Sequence, residues 1–186
     1  MRPAVRMVPD RATLDREVCA GKYCAEVGVL RGKHAAVMLA AGPDMLYLVD
    51  LWKHQDERIY DEELNRESDD AKFETFYRHV ADTLGKDPRV EIFRMDSLRA
   101  AKIFRKRSLG AVYVDGNHGY EACAADLHAW WPRVARGGWL YGHDYKFDFP
   151  GVVGAVDEFL DELGRKALDV LTEDDPPSWG IRKAAI

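Results

Sequence analysis

Residues 109–145 read LGAVYVDGNHGYEACAADLHAWWPRVARGGWLYGHDY, and the reading of this stretch decides the fold. It contains two apolar β-type runs, 111–114 and 138–141, and each ends abruptly in polar residues. Asp115, Asn117 and His118 follow the first run, and His143 and Asp144 follow the second. Between the runs Tyr120, Cys123, Ala124, Leu127, Trp130 and Trp131 recur at helical spacing and form one apolar face. Pro132 and the Gly137–Gly138 pair then stop the helix and turn the chain back. Strand, crossover helix and strand make a βαβ unit, whose strands are parallel and adjacent. Both polar clusters therefore fall beyond the carboxyl ends of neighbouring strands, where open α/β sheets place their ligands.

Toward the amino terminus the alternation repeats. Asp10 suits the N-cap of a short helix carrying Leu14 and Val18. A strand at 23–27 opens into Gly28-Val29-Leu30-Arg31-Gly32, and a helix follows from about Lys33 with Ala36, Val37 and Ala40 inward, closed by Gly42-Pro43. A second strand, 45–49, ends at Asp50. Residues 53–70 are the most polar stretch and too long for a β-to-α connection. They read either as a surface excursion covering substrate (53–72) or as a solvated helix face. Phe73, Phe76, Tyr77, Val80 and Leu84 then give an amphipathic helix with Gly85 at C′.

A third strand, 90–93, ends at Arg94-Met95-Asp96-Ser97, where Ser97 can cap a helix carrying Ala100, Ala101 and Phe104. Beyond residue 145, Val152, Val153, Val156, Phe159, Leu160 and Leu163 mark a last long helix stopped by Gly164. Short strands near 167–171 and 178–182 finish the chain. The expected fold is one doubly wound, Rossmann-like α/β domain over 1–186, with about seven mostly parallel strands and helices on both faces.

Composition narrows the partners. A chain of 186 residues suits one domain. A net charge of -5 argues against a broad nucleic-acid footprint. No apolar run approaches the ~20 residues that span a bilayer, and MRPAVRMVPD lacks the apolar core of a signal peptide. Cys19, Cys24 and Cys123 make neither a disulfide framework nor a zinc site, which suits reduced, buried thiols. The expectation is a cytoplasmic protein with no nucleic-acid or membrane partner.

The strand ends carry the chemistry. After the first strand, Gly28 and Gly32 let a ligand approach the backbone at a helix N-terminus. The pattern departs from G-x-G-x-x-G, and Glu26 inside the strand end would repel a phosphate but suits a cation. Asp50 stands where an acid accepts from ribose hydroxyls, or it caps a turn. Asp96 and Ser97 could meet an adenine edge, or simply cap a helix. Trp52 could stack on the adenine, or pack in the core.

Together, a carboxylate in the first strand, a glycine turn, an acid after the second strand and a polar pair after the third resemble the class I S-adenosylmethionine-dependent methyltransferases. The resemblance covers roughly residues 23–182. It implies that Glu26 and Gly28 line the methionine moiety, that Asp50 binds the ribose and that Asp96 and Ser97 meet the adenine, with Asp115 also on the cofactor side. The Asp115/His118 and His143/Asp144 clusters further resemble the metal-dependent small-molecule O-methyltransferases, which include catechol O-methyltransferase and the macrolide- and aminocoumarin-sugar enzymes. That resemblance implies a metal held by Asp115, His143 and Asp144, with His118 as the base. His143 replaces the usual acid of the strand-five pair. Either it ligates an ion such as Mn²⁺, or Asp115 and Asp144 hold Mg²⁺ with waters, or no metal binds.

The implied reaction is methylation of a hydroxyl on a small molecule, sugar or catechol-like. A divalent ion lowers the hydroxyl's pKa, and a histidine takes its proton near neutral pH. Competing readings are a metal-assisted hydrolase on the same fold, a non-catalytic binding or assembly protein and, more weakly, a dinucleotide oxidoreductase. Substrate specificity is expected from 53–72 and 145–152, and a homodimer is one way to complete a shallow pocket. His34, His54, His79 and His128 read as surface or helix residues without a site role, and Trp130 and Trp131 as packing residues.

Overall fold

A computed structural model describes residues 5–56 and 63–185, apart from the side chain of Leu64. Among the described residues eight strands form one sheet: β1 (Arg6–Val8), β2 (Tyr23–Val27), β3 (Met45–Asp50), β4 (Val90–Arg94), β5 (Leu109–Val114), β6 (Val134–Gly142), β7 (Val170–Thr172) and β8 (Trp179–Arg182). Their order is β1-β7-β8-β6-β5-β2-β3-β4. Every pairing is parallel except those of β8, which runs antiparallel to both β6 and β7.

The helices are α1 (Arg11–Cys19), α2 (Lys33–Ala40), α3 (Glu63–Arg66), α4 (Asp70–Thr83), α5 (Ser97–Ala101), α6 (Tyr120–Trp130) and α7 (Pro150–Glu162). They cover both faces of the sheet, as the nearly continuous apolar runs of the central strands β2 and β5 require. On β5, Ala111 and Tyr113 enter one core with Leu14, Val18, Met38 and Val80; Val112 and Val114 enter the other with Leu127, Trp130, Val156 and Phe159. The first core is closed by α1, α2 and α4, the second by α6 and α7.

β2 is the pivot. It pairs with β3 on one side and β5 on the other, so the chain leaves it in one direction and returns on its opposite edge. A crevice opens at such a switch point beyond the strands' carboxyl ends. Glu26 and Gly28 come from one wall and Asp115 from the other.

Several expectations are corrected. β1 was not foreseen, because three residues with two exposed carry little periodic signal. β6 begins at Val134 rather than near 138, with an irregular register opposite Leu109 and Ala111. Asp96, not Ser97, caps α5, its side chain accepting from Arg99 N at 2.9 Å. The inward face of α2 is His34, Ala35 and Met38, whereas Ala36 and Val37 are exposed.

The expected excursion is tied down at both described ends, and its residues 57–62 lie outside the described residues. Asn65, fully buried, exchanges hydrogen bonds with Gln55: Gln55 N donates to Oδ1 at 3.0 Å and Nδ2 to Gln55 O at 2.8 Å. Asp69 caps α4 by accepting from Lys72 N. Cys19, Cys24 and Cys123 are free and buried, as the sequence suggested. No helix among the described residues is long and apolar enough to cross a membrane.

Candidate functional site

The turn after β2 is built by close packing. Gly28 has φ +87°, and a Cβ there would stand 2.1 Å from the carbonyl oxygen of Asp115. Only glycine lets the two wall strands come so near. Gly28 N donates to Val49 O at 2.9 Å, and Asp115 N to Val27 O at 2.8 Å, so three strand ends are knitted together.

Asp50 holds the turn from β3. Its Oδ2 accepts from Val29 N at 2.9 Å and Leu30 N at 2.8 Å, and its Oδ1 from Trp52 N at 2.7 Å. These bonds keep the carboxylate fixed at the crevice lip and support the positive φ of Leu30 and Trp52.

A cavity of about 670 Å³ occupies the crevice. It is lined by Glu26, Gly28, Asp50, Asp96, Ser97 and Asp115, so the structure gathers six of the seven residues expected to meet a cofactor. Trp52 is the exception and the expectation of stacking is corrected. It is 1% exposed and does not line the cavity; its ring packs on Tyr77, and its Nε1 donates to Leu30 O at 2.8 Å. An indole with its N–H satisfied inside the core has no face to offer a base.

Among the other residues that line the cavity, His34, Arg11 and Asp126 carry polar chemistry that sequence reasoning did not single out. Asp126, on α6, is 7% exposed and accepts from the Ser97 hydroxyl, which in turn accepts from Trp130 Nε1 at 2.8 Å. Burial pushes the Asp126 carboxyl up to about 6, the Ser97 hydrogen bond pulling the other way. Arg11 enters from the start of α1, its Nη1 donating to Tyr113 Oη at 2.9 Å.

Glu26 is 1% exposed. Its Oε1 lies 3.3 Å from His34 Nδ1, and its Oε2 is buried with no hydrogen-bond partner among the described residues. Burial raises its carboxyl to about 7, while His34 pulls it down. A buried, half-satisfied carboxylate on a cavity wall calls for a cationic ligand group.

At the other wall, the ends of β5 and β6 bring four polar residues together. His118 Nε2 stands 3.0 Å from Asp144 Oδ2 and 3.8 Å from Asp115 Oδ1. His143 Nδ1 stands 3.1 Å from Asp144 Oδ1 and 4.0 Å from Asp115 Oδ1. Burial opposes ionisation of Asp144, but the two imidazoles outweigh it and hold its carboxyl well below the usual range. Asp115, His118 and Asp144 each offer a ligand atom, all within 4.8 Å of one another. His118 thus stands inside the group able to hold an ion, where the sequence reading placed His143. Asp115, His118 and His143 also line the cavity; Asp144, 5% exposed, sits behind them.

A Rossmann-like sheet with acids and a glycine turn at its switch point defines a nucleotide-type cofactor site. The chain belongs to the methyltransferase domain family, which matches residues 25–145. It is an S-adenosylmethionine-dependent methyltransferase of the class I fold. The O-methyltransferase NovP aligns over 94% of this chain and 79% of its own at 18% identity, with a TM-score of 0.64. A Corynebacterium glutamicum protein aligns over 95% and 82% at 17% identity, TM-score 0.62. A candidate methyltransferase from Streptococcus mutans, solved with S-adenosylhomocysteine, aligns over 92% and 94% at 14% identity, TM-score 0.60. No curated protein matches the chain by sequence.

The residues present fit the cofactor. Its amino-acid end carries an ammonium group, and the buried Glu26 Oε2 is an acceptor in want of one.

Proposed function

We propose that this methyltransferase acts on a hydroxyl of a small molecule, a vicinal diol of sugar or catechol type, with the help of a divalent ion at the β5–β6 strand ends. The observation that carries the reading is the meeting of Asp115, His118 and Asp144 within 4.8 Å beside the cofactor cavity. Two carboxylates and an imidazole make a donor set for a first-row ion such as Mn²⁺ more than for Mg²⁺, which favours oxygen alone. That NovP is an O-methyltransferase agrees with an oxygen acceptor.

On this reading Glu26 and Gly28 hold the amino-acid end of the cofactor, Asp50 the ribose, and Asp96, Ser97 and Asp126 the adenine. When bound, the cofactor would supply a methyl group on a cationic sulfur that can keep the electron pair of the C–S bond as the substrate oxygen takes the methyl. A bound divalent ion supplies a Lewis acid that acidifies the hydroxyl.

The roles of the two histidines exchange relative to the sequence expectation. Asp144 can only accept, so His143 Nδ1, 3.1 Å from its Oδ1, carries the ring proton. That leaves His143 Nε2 with a lone pair for the hydroxyl proton, in a ring oriented by its carboxylate. His118 Nε2, 3.0 Å from Asp144 Oδ2, faces the same carboxylate and serves as ligand by giving up its own proton as the ion binds. His118→Ala is expected to weaken Mn²⁺ binding, while His143→Ala keeps Mn²⁺ and loses methyl transfer to catechol as the probe diol. The reverse pattern restores His118 as the base.

Thermal unfolding tests the whole reading. S-adenosylhomocysteine at about 100 times its Kd stabilises by roughly 2.7 kcal/mol, about 5–10 °C for a chain of this size. Mn²⁺ is expected to add a further shift that chelator removes. A cofactor shift without any metal shift would leave the methyltransferase and remove its ion.

A further inference from the structure

The Glu26 carboxylate does not stand alone. Asp15 on α1 and His34 on α2 are buried behind it, at 0% and 8% exposure. His34 Nε2 lies 2.9 Å from Asp15 Oδ2, and Asp15 Oδ1 accepts from Tyr141 Oη at 2.8 Å. The imidazole is fixed by packing on Tyr113, with ring centroids 4.0 Å apart.

Both ring nitrogens of His34 therefore face carboxylate oxygens. A neutral imidazole has one donor and one acceptor, so one nitrogen would turn a lone pair toward a carboxylate; only the imidazolium satisfies both. Burial opposes that charge, but the Asp15 and Glu26 carboxylates together raise His34 to about 9. Two carboxylates around one imidazolium leave a net negative charge in a desolvated place, and the open acceptor is Glu26 Oε2 on the cavity wall.

We infer that Asp15 and His34 are positioning residues, a buried carboxylate–imidazolium pair that keeps Glu26 ionised and oriented to receive the amino group of the cofactor's amino-acid end. The inference rests on the S-adenosylmethionine assignment and deepens it. Glu26 touches the cofactor; Asp15 acts through His34, and His34, whose edge reaches the cavity wall, acts through Glu26. The other ionisable groups around the triad are Arg11 and Cys19 of α1, Cys24 of β2, Tyr113 of β5, Asp115 beyond it and Tyr141 of β6. Of these only Arg11 is cationic, and its guanidinium donates to Tyr113 Oη.

Two ligands separate positioning from scaffolding. S-adenosylhomocysteine carries the amino-acid end; 5′-methylthioadenosine shares its adenosine and sulfur but lacks that end. Asp15→Asn keeps the shape of the side chain and its bonding to Tyr141, and His34→Gln removes the cation outright. By calorimetry each variant is expected to lose about 10- to 100-fold in S-adenosylhomocysteine affinity and to stay within about twofold for methylthioadenosine. In His34→Gln the loss of the cation also disfavours ionised Glu26, so the acid limb of S-adenosylhomocysteine binding moves to higher pH in that variant. Equal loss for the two ligands assigns a scaffolding role and overturns the inference. So does unchanged affinity in folded Asp15→Asn. Failure of the unsubstituted chain to bind S-adenosylhomocysteine overturns both this inference and the cofactor assignment beneath it.

Discussion

Gly28→Ala is expected to lower the melting temperature by about 6–12 °C and to weaken S-adenosylhomocysteine binding with it. The backbone term is about 1–2 kcal/mol for an L-residue held at positive φ. The steric term adds to it. The new Cβ would lie 2.1 Å from the Asp115 carbonyl oxygen, 2.5 Å from its carbon and 2.7 Å from Gly116 Cα. These are backbone atoms and cannot rotate aside, so the ends of β2 and β5 must part. A total of about 3 kcal/mol corresponds to the stated shift in a chain of this size. The same displacement separates Glu26 and Asp50 from Asp115, the two walls of the cavity. Gly21→Ala is the control: its φ is +64°, but nothing lies within 4 Å of its Cβ position. It carries the backbone term alone. A Gly28→Ala protein melting no lower than Gly21→Ala would show that the strand ends are not held as tightly as their geometry implies.

The acids that line the cavity were legible because position alone reveals them. An apolar run that stops at a charge marks a strand end, and Glu26, Asp50, Asp96 and Asp115 all sit at such ends and all reach one cavity. What could not be read depends on tertiary choice. Lys33–Ala40 reads KHAAVMLA, apolar on almost every side, so its period does not say which face turns inward. An inward face of Ala36, Val37 and Ala40 leaves His34 a surface or helix residue without a site role; the fold instead turns His34 toward Asp15, nineteen residues earlier on another helix, and no local pattern reports that pairing. Trp52 misled for a similar reason. Its place two residues after Asp50 suggested a stacking partner, but the bond from its indole N–H to Leu30 O turns the ring into the core. Asp126 sits with Cys123, Leu127 and Trp130 on the buried face of α6, and an apolar stripe does not report that one carboxylate within it will meet Ser97.

The strand-six acid offers the larger functional effect. Asp144→Asn is expected to weaken Mn²⁺ binding by roughly 100-fold or more, since loss of an outer partner alone costs 10–100-fold and a ligand should exceed that. Methyl transfer to catechol should fall roughly 100- to 1000-fold as the Lewis acid and the orientation of His143 go together. Asparagine is the informative substitution because residue 144 has φ 60°, a conformation Asn tolerates better than Ala. Stability should fall as well, and the sign follows from the carboxyl lying well below its ordinary value. That stabilisation is fully present above the ordinary carboxyl range and is lost only as pH falls through the depressed folded value. At neutral pH the variant lacks all of it. S-adenosylhomocysteine affinity should hold, because Asp144 does not line the cavity. Manganese titration followed by its paramagnetic signal separates the terms. If Mn²⁺ affinity survives while transfer is lost, Asp144 works by orienting His143 rather than by holding an ion. If neither changes, the Asp115–His118–Asp144 group is a network of ion pairs, and the hydroxyl must lose its proton without a metal.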